Sequence, residues 1–119
     1  MGMTFLKLKV GNPARPRKTE TMEFLIDTGA LYSVVPASSL RRLGIRPDRV
    51  EEFTLAGGSH TKRCAGGAVF EIDGRRGPSP VIFGERDDAT LVGAVTLEAL
   101  GLMVDPLKRQ LRPLPMLLV

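Results

Sequence analysis

Apolar and polar residues nearly alternate at the start of the chain, where Lys7 and Lys9 separate Leu6, Leu8 and Val10; this period of two predicts a half-buried strand from Phe5 to Val10 that ends at the Gly11-Asn12-Pro13 turn. Pro13 to Lys18 reads as a basic loop, and strand character resumes from Thr19 to Ile26, where Phe24-Leu25-Ile26 is continuously apolar, as in a strand buried on both faces. That strand runs into Asp27 and a turn. Val34-Val35-Pro36 is a short extended piece, and Pro36 opens a short helix over Ala37 to Leu43 that Gly44 terminates. Strands are predicted over Val50 to Ala56 and Ser59 to Ile72, joined by Gly57-Gly58 into a hairpin long enough to project, with a bulge or kink expected at Gly66-Gly67. Asp73-Gly74 marks another hairpin turn. Strands follow over Pro80 to Phe83 and Thr90 to Val92, then a helix over Ala94 to Leu100 capped by Gly101, a strand over Leu102 to Val104 and a last one over Gln110 to Arg112. Many short strands and two short helices, without α/β alternation, predict a mainly β fold curled into a partial barrel. Two passages, Phe24 to Leu43 and Thr90 to Gly101, share one plan: apolar strand, turn, short helix.

Composition narrows the class. The chain has 119 residues, 43% of them hydrophobic and 25% charged, so residues 1–119 read as one small globular domain with no linker or repeat. Its net charge of +4 permits an acidic partner, but the basic residues come in scattered pairs (Arg41 and Arg42, Lys62 and Arg63, Arg75 and Arg76, Lys108 and Arg109), with one Tyr and no Trp to stack on bases. Solvated turns are the expectation for those pairs, and a nucleic-acid partner is not expected. Cys64 is the single cysteine, so no disulfide forms within the chain, and with one His there is no metal-ligand cluster. The lysines near the N-terminus break the apolar stretch a signal peptide needs, no segment reaches the length of a membrane span, and Leu6 stands where a myristoylated Gly2 would be followed by Ser or Thr. A cytoplasmic protein with no membrane partner is therefore expected.

Asp27-Thr28-Gly29 places a carboxylate at the exit of an apolar strand, and alone it is no more than an Asx turn. With its surroundings it resembles the active-site loop of the retropepsin-like aspartic proteases, the single-domain family of retroviral proteases and their cellular and bacterial relatives. Phe24-Leu25-Ile26 before it, Ala30 after it and Val34-Val35-Pro36 downstream fit that loop; Gly57-Gly58 stands where the family has its flap; and Leu91-Val92-Gly93 before a helix resembles the segment that closes the psi-shaped loop around the site.

The resemblance implies a half-barrel that assembles as a homodimer and hydrolyses peptide bonds without a cofactor. Two close carboxylates cannot both ionise, so a pair sharing one proton activates a water with one member and polarises the scissile carbonyl with the other. The chain holds one Asp-Thr-Gly, so the resemblance makes Asp27 the catalytic carboxylate of each of two chains. Thr28 would brace the two loops across the dimer axis, Gly29 would allow close approach of backbone and substrate, and Gly57 and Gly58 would form the flap tip, against the simpler reading of a plain hairpin turn. Ala30, Leu55, Val81 and Leu91 are candidate pocket residues, Ser33 a turn hydroxyl and His60 an exposed strand residue.

Two departures place the chain nearer the cellular and bacterial branch. Retroviral members pair an acid two residues after the Asp-Thr-Gly glycine with an arginine after the later glycine; here those places hold Leu31 and Ala94. Both halves are missing together, so no unpaired charge is left. The tail Leu114 to Val119 is a candidate for pairing strands across the dimer, restricted by Pro113 and Pro115 to edge positions or to a non-strand contact. Two rival readings are a silent retropepsin-fold module that binds peptides or proteins without cleaving them, and a small basic barrel that binds RNA.

Overall fold

The N-terminal hairpin shows how this sequence builds its sheet. In the computed structural model, which describes residues 3–118, β1 (Phe5–Asn12) pairs antiparallel with β2 (Arg15–Ile26). Met1 and Gly2, on which the myristoylation pattern was read, and Val119 at the end of the apolar tail lie outside the described residues. The turn is confined to Pro13-Ala14, because the buried Asn12 side chain closes it: Oδ1 accepts from the Ala14 amide at 2.8 Å and Nδ2 donates to the Leu43 carbonyl at 2.8 Å. The expected basic loop over Pro13 to Lys18 is accordingly a strand from Arg15 onward, its cations turned to solvent at an exposed hairpin end where Pro16 is tolerated.

From β2 the chain passes through the Asp27 turn to β3 (Ser33–Pro36) and α1 (Ala37–Arg42), then β4 (Arg49–Thr54), β5 (His60–Ile72) and β6 (Arg75–Gly84). Next come β7 (Leu91–Val92), α2 (Ala94–Ala99), β8 (Leu102–Val104) and β9 (Leu111–Pro113). The main sheet runs β1-β2-β7-β3-β6-β5-β4, and an extra β1–β5 pairing closes it into a small barrel from which β4 stands out. β8 and β9 form a separate two-stranded ribbon. Gly66-Gly67 does not make the expected bulge. The β5–β6 register runs unbroken from Ala65↔Ile82 to Ile72↔Arg75, and the two glycines instead mark where β5 exchanges its other neighbour, β4 up to Ala65 and β1 from Val69.

The barrel core joins Leu8, Val10, Phe24, Phe70, Val81 and Val92, with Phe24 and Phe70 edge-to-face at 5.9 Å. Of the apolar triplet ahead of Asp27 only Phe24 is fully buried; Leu25 and Ile26 are half-buried, because β2 ends at the rim of the barrel. Val81, a candidate pocket residue, is wholly inside this core. The helices close the barrel from outside through Leu40 and Leu97, both buried. Among the described residues no helix is long and apolar enough to cross a membrane.

Candidate active site

Two strands converge on Asp27. β7 inserts parallel to β2 (Leu25↔Leu91, Ile26↔Val92) and touches β3 on its other side (Val34↔Leu91), so residues 27–32 form a loop wrapped around the end of a two-residue strand. Backbone hydrogen bonds fix that wrapping: the Asp27 amide donates to Val92 O at 3.0 Å, Ala94 N to Ala30 O at 2.9 Å and Val95 N to Leu31 O at 3.1 Å. Leu91-Val92-Gly93 thus lies against the Asp27 loop. A Cβ on Gly93 would stand 2.8 Å from Leu31 O and 2.9 Å from Ala30 O, so this close approach requires glycine.

Behind the loop lies a buried hydroxyl chain that the sequence did not announce. Ser33, expected as a turn hydroxyl, is fully buried; its Oγ accepts from Gly93 N at 3.0 Å and is hydrogen-bonded to Thr96 Oγ1, which meets Ser79 Oγ at 2.8 Å. β3, α2 and β6 are locked together by three small side chains, and among the described residues no buried side-chain polar atom is left without a partner.

In front, Asp27 is half-buried, its Oδ1 accepting from Gly29 N at 3.0 Å while Thr28 and Gly29 are exposed. The carboxylate opens onto a groove of about 900 Å³. Ala30, Leu31, Val34 and Ile82 line it, together with Phe53 to Ala56 of the projecting hairpin. Ala89 and Leu91 line it as well. Ala30, Leu55 and Leu91 are therefore groove residues as the sequence suggested. Gly57 and Gly58 are not; they form the hairpin tip, with open space where a Cβ would go. Gly58 has φ +87°, and its amide donates to Leu55 O at 2.9 Å. His60 is exposed next to the tip.

Sequence reasoning missed Tyr32, Arg63 and Asp88, which also line the groove. Arg63, expected on a solvated turn, instead meets Asp88 with two hydrogen bonds, Nε to Oδ2 at 2.7 Å and Nη2 to Oδ1 at 3.0 Å. Hydrogen bonding from Arg63, seconded by the Glu85 amide, outweighs partial burial and holds the Asp88 carboxyl below its ordinary value. A Lys-Arg pair and an acidic turn 25 residues later carry no local sign that they will meet. Among the described residues there is no cluster of His, Cys, Asp and Glu able to hold a metal ion.

A closed β-barrel with an aspartate cradled by a strand-in-loop crossing defines the acid-protease class of fold, and comparison with known proteins agrees. The profile described as aspartyl protease matches residues 7–94, most of the chain, and the chain belongs to this family. Among solved structures, a retropepsin-like aspartic protease from Rickettsia conorii superposes with a TM-score of 0.55 at 18% identity, covering 93% of each chain. The simian foamy virus (mac) protease superposes with a TM-score of 0.53 at 17% identity, covering 78% of this chain and 92% of its own. No curated protein matches the sequence.

Proposed function

We propose that the protein is a homodimeric aspartic endopeptidase in which Asp27 of each of two chains supplies one carboxylate of the catalytic pair. The observation that carries this reading is the placement of Asp27: a carboxylate at the mouth of a mostly apolar groove of about 900 Å³, on a loop whose Thr28 and Gly29 face outward and leave room for a second loop. A groove of that kind suits an extended peptide with hydrophobic side chains, the chemistry expected of the substrate. One carboxylate takes a proton from water while its protonated partner polarises the scissile carbonyl; the backbone bond from Gly29 holds each carboxylate in its loop. Gly29 and Ala30 would lie beside the substrate backbone, Thr28 would brace the paired loops, Leu91-Val92-Gly93 would hold the loop from behind, and the Gly57-Gly58 tip would fold over bound peptide. Digestion of a diverse peptide library from acidic to neutral pH, wild type against Asp27→Asn, tests the reading: cleavage abolished by the substitution supports it. An intact fold that binds peptides but never cuts them favours a silent binding module.

A further inference from the structure

Where a backbone ladder stops, a side-chain pair takes over. β5 and β6 are hydrogen-bonded only as far as Ala65↔Ile82; beyond that point β6 runs alongside β3 (Val35↔Phe83, Pro36↔Gly84) and β5 continues with β4 alone. The outer arm, residues 49–64, is therefore a two-stranded ribbon cantilevered beside the groove, and two-stranded ribbons are marginal on their own. Arg63 lies at the root of that ribbon and Asp88 in the turn leading into β7, and both line the groove that Asp27 also lines.

We propose that Arg63 and Asp88 are positioning residues whose ion pair clasps the β4–β5 arm to the 85–90 turn and holds that arm in place along the groove that Asp27 lines. The proposal rests on the protease reading for its catalytic consequence, though not for its structural one.

Three observations favour a clasp over a cation that reads substrate. The fork is bidentate, which fixes direction as well as distance. Arg63 Nη1 donates to Thr61 Oγ1 at 2.8 Å and to Lys62 O at 2.9 Å, so four of the five guanidinium N–H groups are engaged within the protein. Both side chains are largely covered, 19% and 27% exposed, whereas other ion pairs such as Arg49–Glu51 are far more open. Asp88 is itself fixed, because its Oδ2 also accepts from the Glu85 amide at 2.7 Å and its own amide donates to Glu85 O at 2.9 Å. Glu85 adds a weaker contact to Arg63 at 3.7 Å. A preorganised wall lowers the cost of binding, since affinity falls in proportion to the fraction of molecules with the arm in place.

The test uses Arg63→Gln, Asp88→Asn, the double variant and Arg63→Lys. Asn at 88 keeps an oxygen for the Glu85 amide, so that variant spares the turn and removes only the charged tie. Steady-state cleavage of a fluorogenic peptide chosen from the library digestion should show KM raised about tenfold by either single change with kcat within about threefold, the double no worse than the worse single, and Arg63→Lys restoring only part. In Asp27→Asn protein, which needs no substrate, hydrogen exchange should quicken about tenfold at amides of 50–54 and 60–64 when the clasp is removed, with the β1–β2 ladder unchanged. Exchange that quickens only over 85–90, or single effects that simply add, would reduce the pair to a brace for its own turn and overturn the proposal. Should Asp27→Asn still cleave the peptide, the protease reading falls, and the exchange comparison still decides the clasp.

Discussion

Gly93 shows how much of the site depends on single residues with no chemistry of their own. Its backbone donates to Ser33 Oγ while the Asp27 loop folds within 3 Å of where a Cβ would stand. The atoms in the way are backbone of residues 30–32 and cannot rotate aside. Gly93→Ala should therefore cost about 1–3 kcal/mol in urea unfolding and displace the Asp27 loop enough to abolish cleavage. An alanine variant with native stability would mean the loop is free to retreat. Asp88 gives a prediction of a different kind. Its carboxyl is held below the ordinary value, chiefly by the Arg63 hydrogen bonds, so its contribution to stability is complete above the unfolded-state value and is lost as pH falls through the lowered folded one. The Tm gap between wild type and Asp88→Asn, a few degrees near neutrality, should persist into mild acid and close only below the ordinary carboxylate range, as followed by thermal melts across pH. A gap that closes at higher pH would show that the carboxylate gains nothing from the arginine.

On the protease reading, the β4–β5 hairpin is the element that should matter most for turnover. Its tip turns at Gly58 with φ +87° in open space, so a substitution there meets no neighbour and acts through backbone strain alone. Gly58→Val should lower stability by about 1–2 kcal/mol at most while reducing turnover by more than that loss explains, measured by unfolding and peptide cleavage side by side. Unchanged cleavage would make Gly57-Gly58 a turn and nothing else. The hairpin also marks the limit of what could be read from sequence. Its strands, its glycine turn and its projection were legible from alternation and turn chemistry, as were both helices and the strand before Asp27, because those features are local. The partners of β5 were not: two adjacent glycines look the same whether they bulge a strand or, as here, mark where it leaves one neighbour for another. Val81 and Ser33 were misplaced for a related reason. Burial of a valine or a serine is decided by which strands close the barrel around it, and no window of sequence holds that information. Asp27 and Leu91-Val92-Gly93 were brought together by the resemblance to retropepsin-like proteases, because no local pattern ties two segments more than 60 residues apart.

At the scale of the whole molecule, a single chain has one Asp27, with exposed apolar side chains close by: Leu31 is 63% and Leu55 50% exposed. Leu31 and Ala94 replace the ion pair of the retroviral branch, so a dimer of this chain would rely on apolar contact and loop bracing rather than on charge, and its affinity should change little with salt. Sedimentation at concentrations where peptide is cleaved should give twice the chain mass, with specific activity falling on dilution as the dimer dissociates. Full activity in a strictly monomeric species would exclude a shared site. If the two carboxylates act as a pair, activity should follow a bell-shaped pH profile whose limbs belong to the pair and not to either chain. The most direct test of the shared site is subunit mixing. Wild type and Asp27→Asn are co-refolded at fixed total concentration and the cleavage rate is followed as the wild-type fraction falls. A site built from one Asp27 of each chain requires the rate to fall as the square of that fraction, to about a quarter at an equal mixture; a linear fall, to about a half, would show that each chain works alone and contradict the account.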